Sequence, residues 1–126
     1  MPGRIIAFAA GEPEPAYDRP RADRLVAGNP LRTTREHFAA TAGDLSAGIW
    51  SCEPGAWKIA FAPGKDEFFC VIEGRVRIVD DAGIVTLFGP GEAGVIPAGF
   101  TGRFEVLEPV RKYYVVVDRP AAAPAP

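Results

Sequence analysis

From Arg32 onward, short apolar runs alternate with turn chemistry. The candidate strands are Arg32–Phe38, Leu45–Cys52, Ala56–Ala62, Glu67–Ile72, Arg75–Asp80, Ile84–Phe88, Ala93–Ile96, Thr101–Val106 and Val110–Asp118. Between them stand EPG (Glu53–Gly55), PGK (Pro63–Lys65), DDAG (Asp80–Gly83), GPG (Gly89–Gly91) and PAG (Pro97–Gly99). Gly and Pro there supply the backbone angles that reversals need. No long stretch repeats with a period of 3.6, so helix is expected to be scarce. Short strands at regular intervals of about ten residues predict an all-β sandwich or barrel.

Alternation then assigns faces. Trp57, Ile59 and Phe61 share one side of their strand, and Gly102, Phe104 and Val106 share one side of theirs. Glu67 falls in phase with Phe69 and Val71. If the apolar phase is the interior, a carboxylate points into the barrel, and that is the oddity of the chain.

Residues 1–30 are rich in Pro, Gly, Ala and charge, with Ile5 to Phe8 their one apolar run. They read as an extended arm that wraps the barrel or reaches a neighbouring subunit, leaving 31–118 as the domain. Residues 119–126, with the tail PAAAPAP, offer nothing to bury and are expected to be disordered. The length of 126 residues suits one domain with a single core. A net charge of −2, with both signs scattered, leaves no basic face for nucleic acid or an anionic membrane. The run Ile5 to Ala10 is too short for a secretory signal, and no transmembrane span is visible. A cytoplasmic protein is expected. Cys52 and Cys70, without CxxC spacing, read as buried free thiols.

The turn glycines and Glu67 also carry a spacing. Cupins have a first motif of Gly, five residues, His-x-His, three or four residues, Glu, six residues, Gly. Their second motif is Gly, five residues, Pro-x-Gly, two residues, His, three residues, Asn. Gly55, Glu67 and Gly74 match the first frame, and Gly91, Pro97 and Gly99 match the second. The chain thus resembles the small single-domain cupins, similar to ureidoglycine aminohydrolase and the ethanolamine-utilisation cupin. GIWSCEPGAWKIAF, DEFFCVIEGRVRI, GPGEAGVIPAGFTGRFEV and VRKYYVVV carry the likeness. It implies a double-stranded β-helix, the jelly-roll β-barrel of the RmlC-like dTDP-sugar epimerases.

For chemistry the same alignment subtracts. Phe61 and Pro63 stand at the His-x-His positions, Gly102 at the second-motif His and Val106 at its Asn. Only Glu67 remains of the ligand set that the resemblance implies. A divalent metal needs three or four donors, so no metal and no cofactor is expected. The lone histidine, His37, lies in an early strand, away from both motifs, and reads as a surface or dimer-face residue. An epimerase-like mechanism would need an inward histidine base.

An ionised carboxylate in an apolar barrel must find a partner, take up a proton or sit near water. Candidate partners for Glu67 are Lys112, Arg77, Tyr113, Tyr114 and the hydroxyls of Thr86 and Thr101. Trp50, Trp57, Phe61, Phe69 and Phe104 either line a small-ligand pocket or simply fill the barrel. Lys112 matches a Lys of the related cupins, or is a solvated charge at a strand edge. The leading expectation is a metal-free barrel that binds a small organic molecule, with Glu67 as polar anchor beside those aromatics and Lys112. The alternatives are an aminohydrolase-like enzyme with a rebuilt metal site, and a structural or regulatory homodimer with a filled barrel. A homodimer is expected in any case, because exposed sheet edges need cover and the arm could supply it.

Overall fold

The computed structural model describes residues 3–120. Its strands are β1 (Ala16–Asp18), β2 (Leu25–Ala27), β3 (Arg32–Ala39), β4 (Leu45–Cys52), β5 (Gly55–Ala60), β6 (Lys65–Asp80), β7 (Val85–Phe88), β8 (Ala93–Ile96) and β9 (Thr101–Asp118). Two single turns of 3-10 helix, Phe8–Ala10 and Ala22–Arg24, are the only helical elements among the described residues. The end of the expected disordered tail, from residue 121 on, lies outside them.

Every pairing is antiparallel, and β9 is the spine. One of its edges carries β6 along nearly its whole length; the other carries β5 on the first half and β4 on the second. The far edge of β6 is shared by β8, at Glu67–Cys70, and β7, at Val76–Val79. β3 and β1 extend the sheet beyond β4, and β2 extends it beyond β5. The nine strands curl into a jelly-roll half-barrel whose concave face holds the core. Phe69, Val71, Val76 and Ile78 from β6 meet Phe104, Val106 and Val110 from β9 there, with Trp57 of β5 and Ile96 of β8.

Two pairs of expected strands prove to be single strands. Glu67–Ile72 and Arg75–Asp80 are both part of β6, and Thr101–Val106 and Val110–Asp118 are both part of β9. Gly74 reads locally as a turn glycine but is a bulge. Its φ is +88°, and the register slips at three places between Val71 and Val76. A side chain at Gly74 would overlap the Pro109 carbonyl, so the kink needs a residue without Cβ. The chain therefore bends there and continues, keeping Phe69 and Val76 on one concave face.

The first 30 residues contribute more regular structure than their composition suggests. β1 pairs with β3, and Asp18 holds the directly opposed Arg32 through hydrogen bonds of 2.8 and 2.6 Å. Phe8 stacks on His37 with ring centroids 4.2 Å apart, and Arg35 donates to the Pro13 carbonyl at 2.8 Å. This segment thus packs on the outer face of its own sheet.

On that convex side Glu105 is buried beneath two guanidinium groups, since Arg77 and Arg103 both bond to its carboxylate. Burial alone would raise the Glu105 carboxyl, but the hydrogen bonds from Arg77 and then Arg103 outweigh it. They hold the group below its ordinary value of 4.5. With the folded value below the unfolded one, this stabilisation is complete above about pH 4.5 and disappears as pH falls through the folded value. Glu105→Gln should lower the unfolding free energy by about 2 kcal/mol at neutral pH. Its deficit against the parent should shrink in denaturant melts taken below pH 4.5. A deficit that does not change with pH would contradict this reading.

Candidate functional site

The concave face is not filled. A cavity of about 380 Å³ opens between β3, β4 and β5 on one side and β6, β8 and β9 on the other. Its aromatic wall is Trp50, Trp57, Phe61 and Phe104. Trp50 meets Phe104 edge-on at 5.7 Å, and Trp57 leans on Phe104 at 5.3 Å. The polar wall comes largely from β3 and the ends of β4 and β6: Arg32, Thr34, Glu36, Ser46 and Lys65. Glu67, Lys112 and Tyr114 stand in the same cavity.

Glu67 points inward, as its phase predicts, and its partner is Lys112. The Lys112 Nζ donates to Glu67 Oε2 at 2.7 Å, with both side chains almost wholly withdrawn from solvent. Register places Lys112 opposite Val71 and Trp50, and Glu67 opposite Val116. They meet because both side chains are long and lie on the concave side of the curl. Lys112 is therefore no solvated charge at a strand edge; it is 4% exposed. Its ammonium also lies 4.6 Å from the Trp50 ring centroid, 4.8 Å from Phe69 and 4.9 Å from Phe104. Ring faces are negative, so this cage stabilises a cation that has left bulk water.

The remaining candidate partners are engaged elsewhere or turned away. Arg77 binds Glu105, Thr101 bonds to Asp81, Thr86 is exposed, and Tyr113 is on the outer surface near Phe8. Phe69 does not line the cavity. It is fully buried behind the ammonium, packed edge-on against Phe88 at 4.8 Å.

Tyr114, one strand position pair beyond Lys112, is buried close to both acids. Burial first, then the charges of Glu36 and Glu67, push its phenol up to about 12. Cys52 sits in the core, where burial raises its thiol to about 12 and leaves it a poor nucleophile.

Alternation missed the β3 contribution for a physical reason. Arg32, Thr34 and Glu36 face inward, but Thr33, Arg35 and His37 on the opposite phase are equally polar. No hydrophobic contrast marks the wall. The one usable signal was the match of β3 in length to β4, which needs a strand beside it.

The positions at which the cupin resemblance implies a divalent metal do not fit one. Phe61, Pro63 and Gly102 offer no donor. A Cβ at Gly102 would overlap the Val79 carbonyl and crowd the Phe100 ring at 2.9 Å, so a histidine there would require the strands to separate. No group of three or more His, Cys, Asp or Glu side chains that could hold a metal ion exists among the described residues.

Jelly-roll topology, the two spaced motifs and the inward Glu67 together define a cupin. The chain belongs to the EutQ-like cupin domain family, whose pattern matches residues 39–114. No curated protein matches the sequence. Among solved structures, a protein of unknown function of the DUF861 family from Pseudomonas syringae pv. tomato DC3000 superposes with a TM-score of 0.75 at 23% identity. That match covers 89% of this chain and 46% of the Pseudomonas protein, so the chain spans less than half of its relative's length. EutQ of Clostridium difficile matches with a TM-score of 0.63 at 26% identity, over 80% of each chain. An ethanolamine utilization protein Q from Salmonella typhimurium LT2 gives 0.62 at 17% identity, over 87% of this chain and all of the other. At such identities the first and third similarities speak for the fold alone.

In an ultraviolet titration of the folded protein, one of the three tyrosines should ionise only at about pH 12. Tyr114→Phe should remove that last step and no other. A last step that survives the substitution would show that the buried phenol is not Tyr114.

Proposed function

We propose that this cupin is a metal-free binding module that holds a small organic molecule in the barrel. The observation that supports it is the open cavity of about 380 Å³, walled by aromatics and provided with one anchored pair, Glu67–Lys112. Such volume falls within the range of about 300–1,000 Å³ usual for small-ligand sites, and so does the mix of apolar wall and few polar groups. A barrel serving only as a packed structural element would close this space with side chains. An aminohydrolase-like enzyme with a rebuilt metal site needs donors that the wall does not supply. No described helix is long and apolar enough to cross a membrane, and the free thiols Cys52 and Cys70 suit a reducing cytoplasm.

We propose further that the protein works as a homodimer. Phe68, Val95 and Tyr113 leave an exposed apolar area on the convex face, where Phe68 pairs directly with Val95. The arm packs beside Tyr113, through Phe8, so deletion of residues 1–28 should alter the association. Light scattering at micromolar concentration should report a dimer for the full chain and a changed mass or weaker association for the deletion. A monomer in both cases defeats the dimer.

For the binding reading, a thermal-shift screen of small acids, amides, amines and alcohols should find ligands that stabilise the folded protein. A ligand at a hundred times its Kd contributes about 2.7 kcal/mol. Glu67→Gln keeps the shape and removes the charge; it should leave the fold intact and abolish that gain. A ligand bound equally well by the Gln variant, or a screen with no stabilising compound of any class, counts against the proposal.

A further inference from the structure

The mismatch between the cupin ligand positions and a metal ion has a counterpart in the barrel. We propose that the Lys112 ammonium is a built-in substitute for the metal cation, and that it receives a carboxylate oxygen of the ligand, so that Glu67 anchors the ligand by holding the lysine in position. The second half rests on the binding reading above.

Three observations carry the substitution. First, the single carboxylate retained from the ligand set, Glu67, spends its charge on Lys112 at 2.7 Å. Second, three rings lie around the same nitrogen at 4.6, 4.8 and 4.9 Å, from Trp50, Phe69 and Phe104, none of which stands at a histidine position of the motifs. A ring face attracts a cation without donating a lone pair, so it suits ammonium and is useless to a transition metal. Third, the position of the missing second-motif histidine, Gly102, has no room for a side chain beside the Val79 carbonyl and does not line this cavity. The cation is thus part of the chain, fixed in number and unable to exchange.

The ligand class follows from counting donors. An ammonium has three N–H groups, and the protein supplies one acceptor, the Glu67 oxygen. The rings satisfy charge but not direction. Lys112 lines the cavity, so a ligand there can accept from the remaining N–H groups. A second cation, Lys65, borders that cavity over the Phe61 ring at 4.5 Å, with no carboxylate in ion-pair distance among the described residues. Glu36 also lines the cavity, so the carboxylate of a small acid is placed by the two ammonium groups, Lys65 and Lys112, and its apolar body by the aromatic wall.

Three measurements test this. In NMR of the 15N-labelled full chain, the Lys112 ammonium should give a slowly exchanging signal displaced upfield by the rings, and Glu67→Gln should abolish the slow exchange. Lys112→Ala leaves a slot the shape of propylammonium. Millimolar propylammonium should restore much of the lost thermal stability, while propanol should not, and Lys112→Met should not respond. If the Ala variant does not fold, the ammonium signal of the unaltered protein and the Met variant still decide the matter. Benzoate or propionate should shift the Lys112 signal saturably, with benzamide and propionamide at least tenfold weaker. A freely exchanging ammonium, or stoichiometric zinc or manganese in protein purified without an affinity tag, overturns the substitution. Intact cage signals with no preference for acid over amide overturn the ligand class, and leave the caged ammonium standing even if the screen finds no ligand.

Discussion

The site depends on an ion pair that should be costly. Lys112 and Glu67 are almost wholly withdrawn from water, and moving two charges into a protein interior often costs more than their attraction returns. It is tolerated here because neither charge is left alone. The carboxylate has a donor at 2.7 Å, and the ammonium has three ring faces besides. Removing one member would strand the other, at a cost of about 3 kcal/mol or more. Trp50, Phe69 and Phe104 are therefore held in place by polar as well as apolar demands.

The pair spans an offset along two paired strands. Its members sit on adjacent strands, β6 and β9, but four positions apart in register, with Val71 opposite the lysine and Val116 opposite the acid. On a flat sheet, side chains stand apart at that offset. The bulge at Gly74, against Pro109, bends both strands just beyond the segment that carries the pair. Glu105 supports the same bend from outside, where it ties Arg77 of β6 to Arg103 of β9.

Much of this was legible in the sequence, and what was not has identifiable causes. Glycine and proline spacing placed the strands β3, β4, β5, β7 and β8 within a few residues, because reversals need those backbone angles. It split β6 and β9, because a glycine with positive φ looks the same in a bulge as in a turn. Glu67 could be turned inward by parity, since its neighbours Phe69 and Val71 define an apolar phase. Lys112 could not. Its run, Val110-Arg111-Lys112-Tyr113-Tyr114, carries polar or amphipathic groups on both phases, and only the tertiary curl shows that Lys112 and Tyr114 face in. Phe69 was grouped with the wall aromatics for its phase, which is correct, but depth is not a property of phase.

The proposed exchange of a metal for an ammonium would also limit what such a barrel can do. A divalent ion bound by three histidines and a glutamate polarises a bound oxygen as a Lewis acid, and can lower the pKa of bound water to about 7. An ammonium has no empty orbital to offer. It supplies one positive charge and directed N–H donors, enough to hold and orient an oxygen but not to activate water in that way. Its charge is shared with Glu67, so a ligand carboxylate meets a screened cation, with the Lys65 ammonium beside the same cavity, rather than a bare one. That arrangement favours reversible binding of modest strength over tight capture. It also ties recognition to the same contacts that shape the barrel: a ligand that draws Lys112 forward must loosen it from Glu67 or from the rings. In the proposed binding mode, ligand capture and the local stability of β6 against β9 would therefore be coupled by geometry, through a lysine whose position no single strand determines.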